Sequence, residues 1–554
     1  MNDRKPLLNL PVEILARIME YIPGPMDYDL YEGTSFKPFW DHTISDSLML
    51  IPITHTCRQL REIALSTPLL WSTVIASPPE EIPSEQEFVE ELMSRNGDVP
   101  LRVLLSPSRQ FTKLVDSFYP IHARRIEELH LCDVGHRHMK YLESLLSHES
   151  PLLRAYSFDG RAGSLSKWHT HALPLPPNSP SVLRDLYINE VPLLPELPLP
   201  SLTHLALCNI NLPGLHGKIA RVVRSCPNLI ALALSNDVRL DDLDQDPEPA
   251  YLPHLRRLTL NNADSHSLNF YLNLVPPADH PIAFQVLNYK LDLWSTPSGP
   301  SLAGTLKDPI RTLAFASHRV NSDFTVSVTA IASATRAFHI VSELAHSRRA
   351  SIKQWLDRLI DAPSLTFWAV REVWVTHGDV RWGVHAETVA AAIAGLRFLD
   401  TLVLVYRRSR QAQTVVGGME PDLALCPNAE DRAFNSPLLK TVRIVCYSHG
   451  DGGRVGGEAD KGSSGFVLQV LTFVGMLEQL RAGAKYRYLD RIVLQTDRSI
   501  MPIPEQVEKL REYVKEVVVE TVDERPAVPL PDTCHEPRAG PGGDFRKTVA
   551  GALW

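Results

Sequence analysis

The stretches LTHLAL (Leu202–Leu207) and LIALAL (Leu229–Leu234) share one pattern, in which apolar residues occupy the first, fourth and sixth positions. Side chains alternate between the two faces of a strand, so the fourth and sixth residues of each copy lie on the same face. Two further copies are LRDLYI (183–188) and LRRLTL (255–260). The central leucines of the four copies follow each other at steps of 19, 27 and 26 residues: Leu186, Leu205, Leu232 and Leu258. The pattern therefore predicts short strands that recur along the chain.

Weaker copies extend this series in both directions. They are IEELHL (126–131), IRTLAF (310–315), VREVWV (370–375), LDTLVL (399–404), LKTVRI (439–444) and LDRIVL (489–494). A period of about 20–29 residues with this pattern is typical of leucine-rich repeats, whose units bury their apolar faces only against their neighbours. The ninth position of such a repeat, often Asn or Cys, is irregular here: Val191, Ile210 and Asp237. We expect an α/β fold in which residues 99–525 form an irregular leucine-rich-repeat solenoid with a parallel sheet. An ordinary α/β domain with parallel strands is the alternative.

The N-terminal sequence NLPVEILARIMEYI (Asn9–Ile22) has the spacing of an amphipathic helix, with Ile14, Leu15, Ile18 and Ile22 on one face. Pro11 suits its first turn, and the following Pro-Gly-Pro ends it. A helix of about twelve residues is marginal by itself and requires a partner surface. A second helical pattern covers residues 48–66, and TPLLW (Thr67–Trp71) follows it.

Together, LPVEILARIMEYI and THTCRQLREIALSTPLLWSTV resemble an F-box, the small helical module that docks on the adaptor Skp1 in SCF-type ubiquitin ligases. The resemblance covers residues 8–76 and implies that the module's core and adaptor surface include Leu10, Pro11, Ile14, Leu15, Ile18, Cys57, Arg58, Leu69 and Trp71. Two features depart from the family: Leu60 stands where an aromatic residue is frequent, and a long insertion (24–47) separates the two halves. Such insertions are familiar from F-box proteins of mushroom-forming fungi. CPNLIALAL (Cys226–Leu234) is also similar to the cysteine-containing repeats often found behind F-boxes.

The resemblance implies an F-box-like helical module at 1–76. The residues themselves predict a linker helix at 77–98, the repeats at 99–525 with a Gly-rich loop at 448–465, and a flexible tail at 526–554. The resemblance also implies a substrate-recognition adaptor of an SCF-type ubiquitin ligase, which binds a Skp1-like protein, through it a cullin, and an unknown target protein. The residues expected to bind Skp1 are Leu10, Pro11, Ile14, Leu15, Ile18, Leu69 and Trp71. Three alternatives stay open: a helical cap on the repeats in place of the F-box, a repeat scaffold unconnected to ubiquitin, and an enzyme on an α/β fold.

Target recognition is expected on the positions between the inward-pointing leucines, which we predict to face an open concave surface. Most of these positions are polar, but two are aromatic. Because interface hot spots favour Trp, Tyr and Arg, the residues expected to recognise a target are Tyr187, Arg257, Trp374 and Arg443. Coverage of these side chains by insertions or by the tail is the alternative.

Composition and motifs exclude several other classes of function. A formal net charge of -8 gives no overall basic footprint for nucleic acid or for an anionic membrane. Seven scattered cysteines and the lack of a long apolar run predict an intracellular protein, cytoplasmic or nuclear, without a disulfide framework or a membrane span. No Cys-x-x-Cys, Walker A or Gly-x-Ser-x-Gly motif occurs, since Lys461-Gly462-Ser463 has the wrong order. We therefore expect neither metal nor cofactor, and a chain that is not an enzyme.

Overall fold

The chain was analysed as a computed structural model. It describes residues 9–22, 49–76, 85–105, 119–160, 172–210, 212, 214–235, 248–275, 282–287, 309–320, 323–333, 336–344, 367–377, 396–408, 438–448, 489–496, 504–522, 528 and 530. The predicted Gly-rich loop lies outside the described residues, as does the predicted tail apart from Val528 and Leu530. The described residues divide into two compact units. The first runs to Thr259 and includes 273–275, and the second contains 260–272 and the described residues from 282 onward.

The first unit begins with three short helices, α1 (Val12–Met19), α2 (Leu50–Thr54) and α3 (Arg58–Leu65), and a 3-10 turn (Pro68–Trp71). The single helical pattern expected over 48–66 is interrupted, because the backbone of Cys57 is extended, with φ -156° and ψ 161°. Just before this break, the hydroxyl groups of Thr54 and Thr56 donate hydrogen bonds to backbone carbonyls three residues earlier. Such bonds compete with the regular helical ladder, which accounts for the break.

Helix α4 (Glu85–Asn96) follows and falls within the region predicted as a linker helix. It is succeeded by Gly97, whose φ of 55° lies in the left-handed region that glycine adopts without a steric penalty. Leu92 of α4 is buried in the same cluster as Leu15 of α1 and Trp71 of the 3-10 turn. This helix therefore packs with the N-terminal helices and is more than a spacer.

The sheet of the first unit is parallel. Its strands are β1 (Thr73–Ala76), β2 (Leu101–Leu105), β3 (Ile126–Val134), β4 (Ala155–Gly160), β5 (Asp185–Asn189), β6 (His204–Cys208), β7 (Ala231–Ser235) and β8 (Arg257–Asn261). Each strand from β1 to β6 pairs in parallel with the next one along the chain. The central apolar positions of the repeat pattern are aligned in this register, as Leu186, Leu205 and Leu232 show. Strand β1 lies inside the range predicted for the helical module, so that module and the sheet are continuous.

The second unit combines parallel and antiparallel pairing. Its strands are β9 (Ile282–Leu287), β10 (Thr312–Val320), β11 (Asp323–Ser333), β12 (Arg336–Leu344), β13 (Glu372–His377), β14 (Thr401–Arg408), β15 (Thr441–Ser448), β16 (Arg491–Thr496) and β17 (Glu516–Thr521). Strands β10, β11 and β12 form an antiparallel meander, while β9 pairs in parallel with β12. From β10 the order continues through β13 to β17 in parallel. The predicted α/β class with a mostly parallel sheet is confirmed, and the order of strands is open in each unit.

Besides α4, four described helices lie between strands. They are α5 (Met139–Leu145), α6 (Leu215–Arg224), α7 (Ser265–Leu274) and α8 (Pro504–Arg511). Helix α6 shows why such a segment folds as it does: Leu215, Ile219 and Val223 recur every four residues and are buried. The opposite side of α6 carries Arg221 and Arg224, near the negative end of the helix dipole. Apolar faces of this kind cover the strands and complete the core.

A ladder of side-chain hydrogen bonds crosses the carboxyl ends of β4, β5 and β6. Asn189 Nδ2 donates to Asp159 Oδ1 at 2.7 Å, and Asn209 Nδ2 donates to Asn189 Oδ1 at 3.0 Å. The backbone of Asn209 is left-handed, with φ 50°, a conformation that asparagine adopts more readily than most residues. Asn189, the middle residue of the ladder, lies two residues before Val191, the ninth position of its repeat. Inspection of the ninth positions for Asn or Cys therefore does not find the ladder.

Candidate protein-interaction site

Helix α1 carries two adjacent apolar sectors. Leu15 and Met19 form the inner sector and are buried, whereas Ile14 and Ile18 form an outer sector that is 48% and 38% exposed. Successive residues of an α-helix are about 100° apart, which places the outer pair roughly 100° around the helix from the inner pair. Only the remaining side is charged, and it carries Arg17, which is hydrogen-bonded to the Glu20 carboxylate. The helix therefore has more apolar surface than its own core covers.

The inner sector belongs to a compact core centred on Trp71. The indole ring is fully buried, its Nε1 donates to the Ala64 carbonyl at 2.8 Å, and the Arg95 guanidinium lies 4.8 Å from the ring centroid. Leu15, Met19, Leu50, Ile63, Ala64, Leu70 and Leu92 complete this core. Because α1 is held by these contacts, the orientation of its outer sector is fixed by the fold.

The residues predicted to bind Skp1 separate into two groups. Leu10, Pro11, Ile14, Ile18 and Leu69 are exposed, and Leu69, at 59%, is the most exposed of the four aliphatic members. Leu15 and Trp71 are buried in the core described above. The buried pair can shape and support a binding surface, but only the exposed five can contact a partner. We call those five residues the outer apolar set.

The two other residues taken from the F-box pattern lie at the start of α3. Cys57 is half-buried, with a free thiol, and Arg58 donates from Nε to the Glu62 carboxylate at 2.7 Å. This hydrogen bond is the main cause that raises the pKa of the Arg58 guanidinium, and the charge of Glu62 adds to it. Arg58 is highly exposed, so its charge is available at the surface of the module.

The residues predicted to recognise a target were expected to face solvent, but none of the four is exposed. Tyr187, Arg257 and Trp374 are buried, at 2%, 5% and 4% exposed, and Arg443 is half-buried. The expectation of an open polar face is wrong for the first three. Around Tyr187 the physical reason is the size of its neighbours on the same face, which are small and apolar and leave room for the ring to pack: Ala206, Cys208 and Ala233.

Trp374 lies in a separate apolar cluster on the same kind of sheet face in the second unit. The cluster consists of Ala314, Trp374, Val403, Val405 and Val445, and Val528 from the C-terminal part of the chain packs against it. The alternative noted from the sequence, that other parts of the chain cover these positions, therefore holds at Trp374. We call this cluster the Trp374 face.

A polar network on β3 and β4 has the residue types of a catalytic relay. His130 Nδ1 lies 2.8 Å from Ser157 Oγ, and His130 Nε2 lies 3.5 Å from the Glu128 carboxylate, which also pairs with Arg102 at 3.1 Å. The serine hydroxyl, however, is buried and lies in the middle of a strand, and Glu128 is held by the arginine. The geometry therefore suits a link between adjacent strands better than an exposed nucleophile.

The described part of the chain contains neither a metal-binding cluster nor a helix that could span a membrane. No group of three or more His, Cys, Asp or Glu side chains is placed to hold a metal ion there. Among the same residues, no helix is both long and apolar enough to cross a bilayer. In comparisons with known proteins, neither a family model nor a curated protein matches the chain.

Proposed function

We propose that this chain is the substrate-recognition adaptor of an SCF-type ubiquitin ligase, with its N-terminal module bound to a Skp1-like protein and its repeats presenting a target. The observation that carries the proposal is the outer apolar set, defined above as Leu10, Pro11, Ile14, Ile18 and Leu69. Its residues are exposed although the core beneath them is complete. Exposed apolar residues grouped on one small module are typical of protein-interaction sites.

The chain would act by proximity, without chemistry of its own. A Skp1-like protein would hold the module at one end of the ligase, a cullin would extend the assembly, and a target bound to the repeats would be kept near the ubiquitin-transferring subunit. Tethering of this type raises the effective concentration of one reactant near another, to the millimolar range for short connections. The leucine-rich-repeat solenoid is part of this proposal, supported by the aligned repeat positions in the parallel strands.

The test is co-purification of tagged full-length protein with a co-expressed Skp1-like protein. The variant Ile14→Glu/Ile18→Glu places two charges in the outer apolar set without touching the core, and we expect it to lose the complex. Each buried isoleucine lost from an interface centre lowers affinity by roughly tenfold or more, and an unpaired charge lowers it further. Leu197→Glu, at an exposed leucine of the repeat region, is the matched control and should bind like wild type.

Both variants must unfold at the same temperature as wild type, which exposed positions allow. If wild type fails to bind under conditions in which a known F-box binds, or if Ile14→Glu/Ile18→Glu binds as well as Leu197→Glu, the adaptor role is wrong. A repeat scaffold without a link to ubiquitin would then be the leading account.

A further inference from the structure

We infer that the Trp374 face is a binding site for an extended segment of a target protein, one that carries an aliphatic side chain and, two residues away, a carboxylate. The site would lie on strands β13, β14 and β15 of the second unit. The inference rests on the proposed function only in assigning the segment to a target protein.

The first observation is a pair of buried donors. Trp374 Nε1 and Arg443 Nε are both inaccessible to water, and neither has a hydrogen-bond partner among the residues that the structure describes. Buried polar atoms are nearly always paired in folded proteins, so each exception calls for a physical reason. Two donors on one face call for an acceptor, and the charge of the guanidinium favours a carboxylate over a neutral carbonyl.

The register of the strands puts these donors within reach of a single group. Trp374 pairs with Val403, and Val403 pairs with Arg443, so the two donor side chains flank one valine in the same row of the sheet. Strands are about 4.8 Å apart, which separates the Trp and Arg Cα atoms by roughly 10 Å. Both side chains are long enough to converge above Val403, where a carboxylate could accept from each.

The apolar part of the site lies in the next row. Val405 and Val445 pair with each other two residues beyond Val403 and Arg443, on the same face. Two residues along a strand span about 6.6 Å, which is also the distance between side chains i and i+2 of an extended ligand. A segment that runs antiparallel to these strands, with the order aliphatic, any residue, acidic, therefore matches both rows.

The chain's own C-terminal segment shows that this face accepts an aliphatic side chain. Val528 packs against the Trp374 face, and the sequence around it is ERPAVPLPDT (524–533). Two residues after Val528 stands Leu530, where the match just described requires an acid. Val528 packs on the apolar row, and neither donor has a partner among the described residues. A target segment that also supplies the carboxylate should therefore displace Val528.

The test uses fluorescein-labelled peptides and full-length protein, with no adaptor protein present. The peptides have the sequence 524–533, one with Leu530→Glu and one with Leu530→Gln. The protein carries Val528→Gly, which removes the competing side chain in cis. We expect the Glu peptide to bind at least tenfold more tightly than the Gln peptide by fluorescence anisotropy, because only a carboxylate combines these hydrogen bonds with an ion pair to the Arg443 guanidinium. Wild-type protein should bind the Glu peptide more weakly than the Val528→Gly variant, since its own segment competes at high effective concentration.

Arg443→Met identifies the residue that reads the acid. In the Val528→Gly background it should bring the affinity of the Glu peptide down to that of the Gln peptide, whereas Arg371→Met, at an exposed arginine preceding β13, should leave the ratio unchanged. Equal binding of the two peptides, an unchanged ratio in Arg443→Met, or no binding to protein that unfolds like wild type would overturn the inference. Because the assay contains no Skp1-like protein, failure here and failure of the adaptor role are separate results.

Discussion

Asp159 is the residue whose replacement gives the sharpest test of the described packing. Burial raises the pKa of its carboxyl from 3.8 to about 7, the charges of Glu190 and Asp133 add to the increase, and the hydrogen bond from Asn189 opposes it. The main cause is desolvation, since water solvates the charged form better than the interior does. Asp159→Asn keeps an oxygen that can accept from Asn189 Nδ2 and removes the charge.

The sign of the pH effect follows from the protons held in each state. Between pH 4 and pH 7 the folded chain keeps the proton on Asp159, and the unfolded chain has released it, so wild-type stability falls as the pH rises through this window. Below the window both states are protonated, and above it both are ionised. The change from 3.8 to about 7 is close to three pKa units, or about 4 kcal/mol as an upper limit. Because the side chain is only half-buried, about 2 kcal/mol is a realistic expectation.

The assay is thermal unfolding of wild type and Asp159→Asn at pH 4.5 and pH 8. At pH 4.5, near the lower end of the window, the two melting temperatures should differ much less than at pH 8. At pH 8 the variant should be the more stable, by about 5 °C if 2 kcal/mol acts on a unit of this size. Glu196→Gln, which removes one exposed carboxylate from the same unit, is the control for net charge. A variant that is less stable at pH 8, or equally shifted at both pH values, would refute the burial of an uncompensated carboxyl at this position.

Two further predictions, made on three substitutions, concern the packing of the first unit. Leu15→Ala removes a side chain from the Trp71 core and should lower the free energy of unfolding by roughly 2–5 kcal/mol. Ile14→Ala, on the outer sector, should change it by less than about 1 kcal/mol. Urea unfolding followed by circular dichroism measures both values, and equal effects would contradict the two-sector description. Gly160→Ala introduces a Cβ that would meet the Glu190 carbonyl oxygen at 2.5 Å and Val191 Cγ1 at 2.4 Å. We therefore expect the free energy of unfolding to fall by about 1–3 kcal/mol, with a lower melting temperature. An unchanged value would mean that the chain just after β5 yields easily.

The repeat pattern predicted the strands and their alignment well because it records which residues are buried on one face. It missed one strand whose central residue is aromatic and another near the C-terminal end of the series. The copy LRAYSF (153–158) overlaps β4 and has Tyr156 at its fourth position. The copy VKEVVV (514–519) overlaps β17. Tyr156 pairs with Leu186 in the register, which shows that an aromatic ring can occupy the leucine position.

The antiparallel meander required a different sequence signal. In β11 the residues Phe324, Val326 and Val328 alternate with polar residues, the period-two pattern of a strand with two unlike faces. A search for apolar residues at the first, fourth and sixth positions passes over such a segment. The pairing of β10 with β13, across two inserted strands, depends on tertiary contacts that no local pattern contains.

Sequence periodicity also could not decide which side of α1 is buried. Ile14, Leu15 and Ile18 are all aliphatic and all lie on one broad apolar arc, and only the position of Trp71 and its neighbours selects Leu15 for the core. For the same reason the sequence placed Tyr187 and Trp374 on an open face, since alternation shows that two side chains share a face and says nothing about what packs on it. Burial of both faces is a property of the assembled unit.

The outer apolar set and the Trp374 face each contain an arrangement that is unfavourable in the protein by itself. On α1 the core is complete without Ile14 and Ile18. Polar residues at these two positions would keep the same fold and would expose less aliphatic surface to water. On the Trp374 face the apolar contacts are complete, but two donors are buried without acceptors among the described residues. The described residues alone explain neither arrangement. A partner that covers the aliphatic residues of α1, and a segment that brings a carboxylate to Trp374 and Arg443, would each remove one of these unfavourable features.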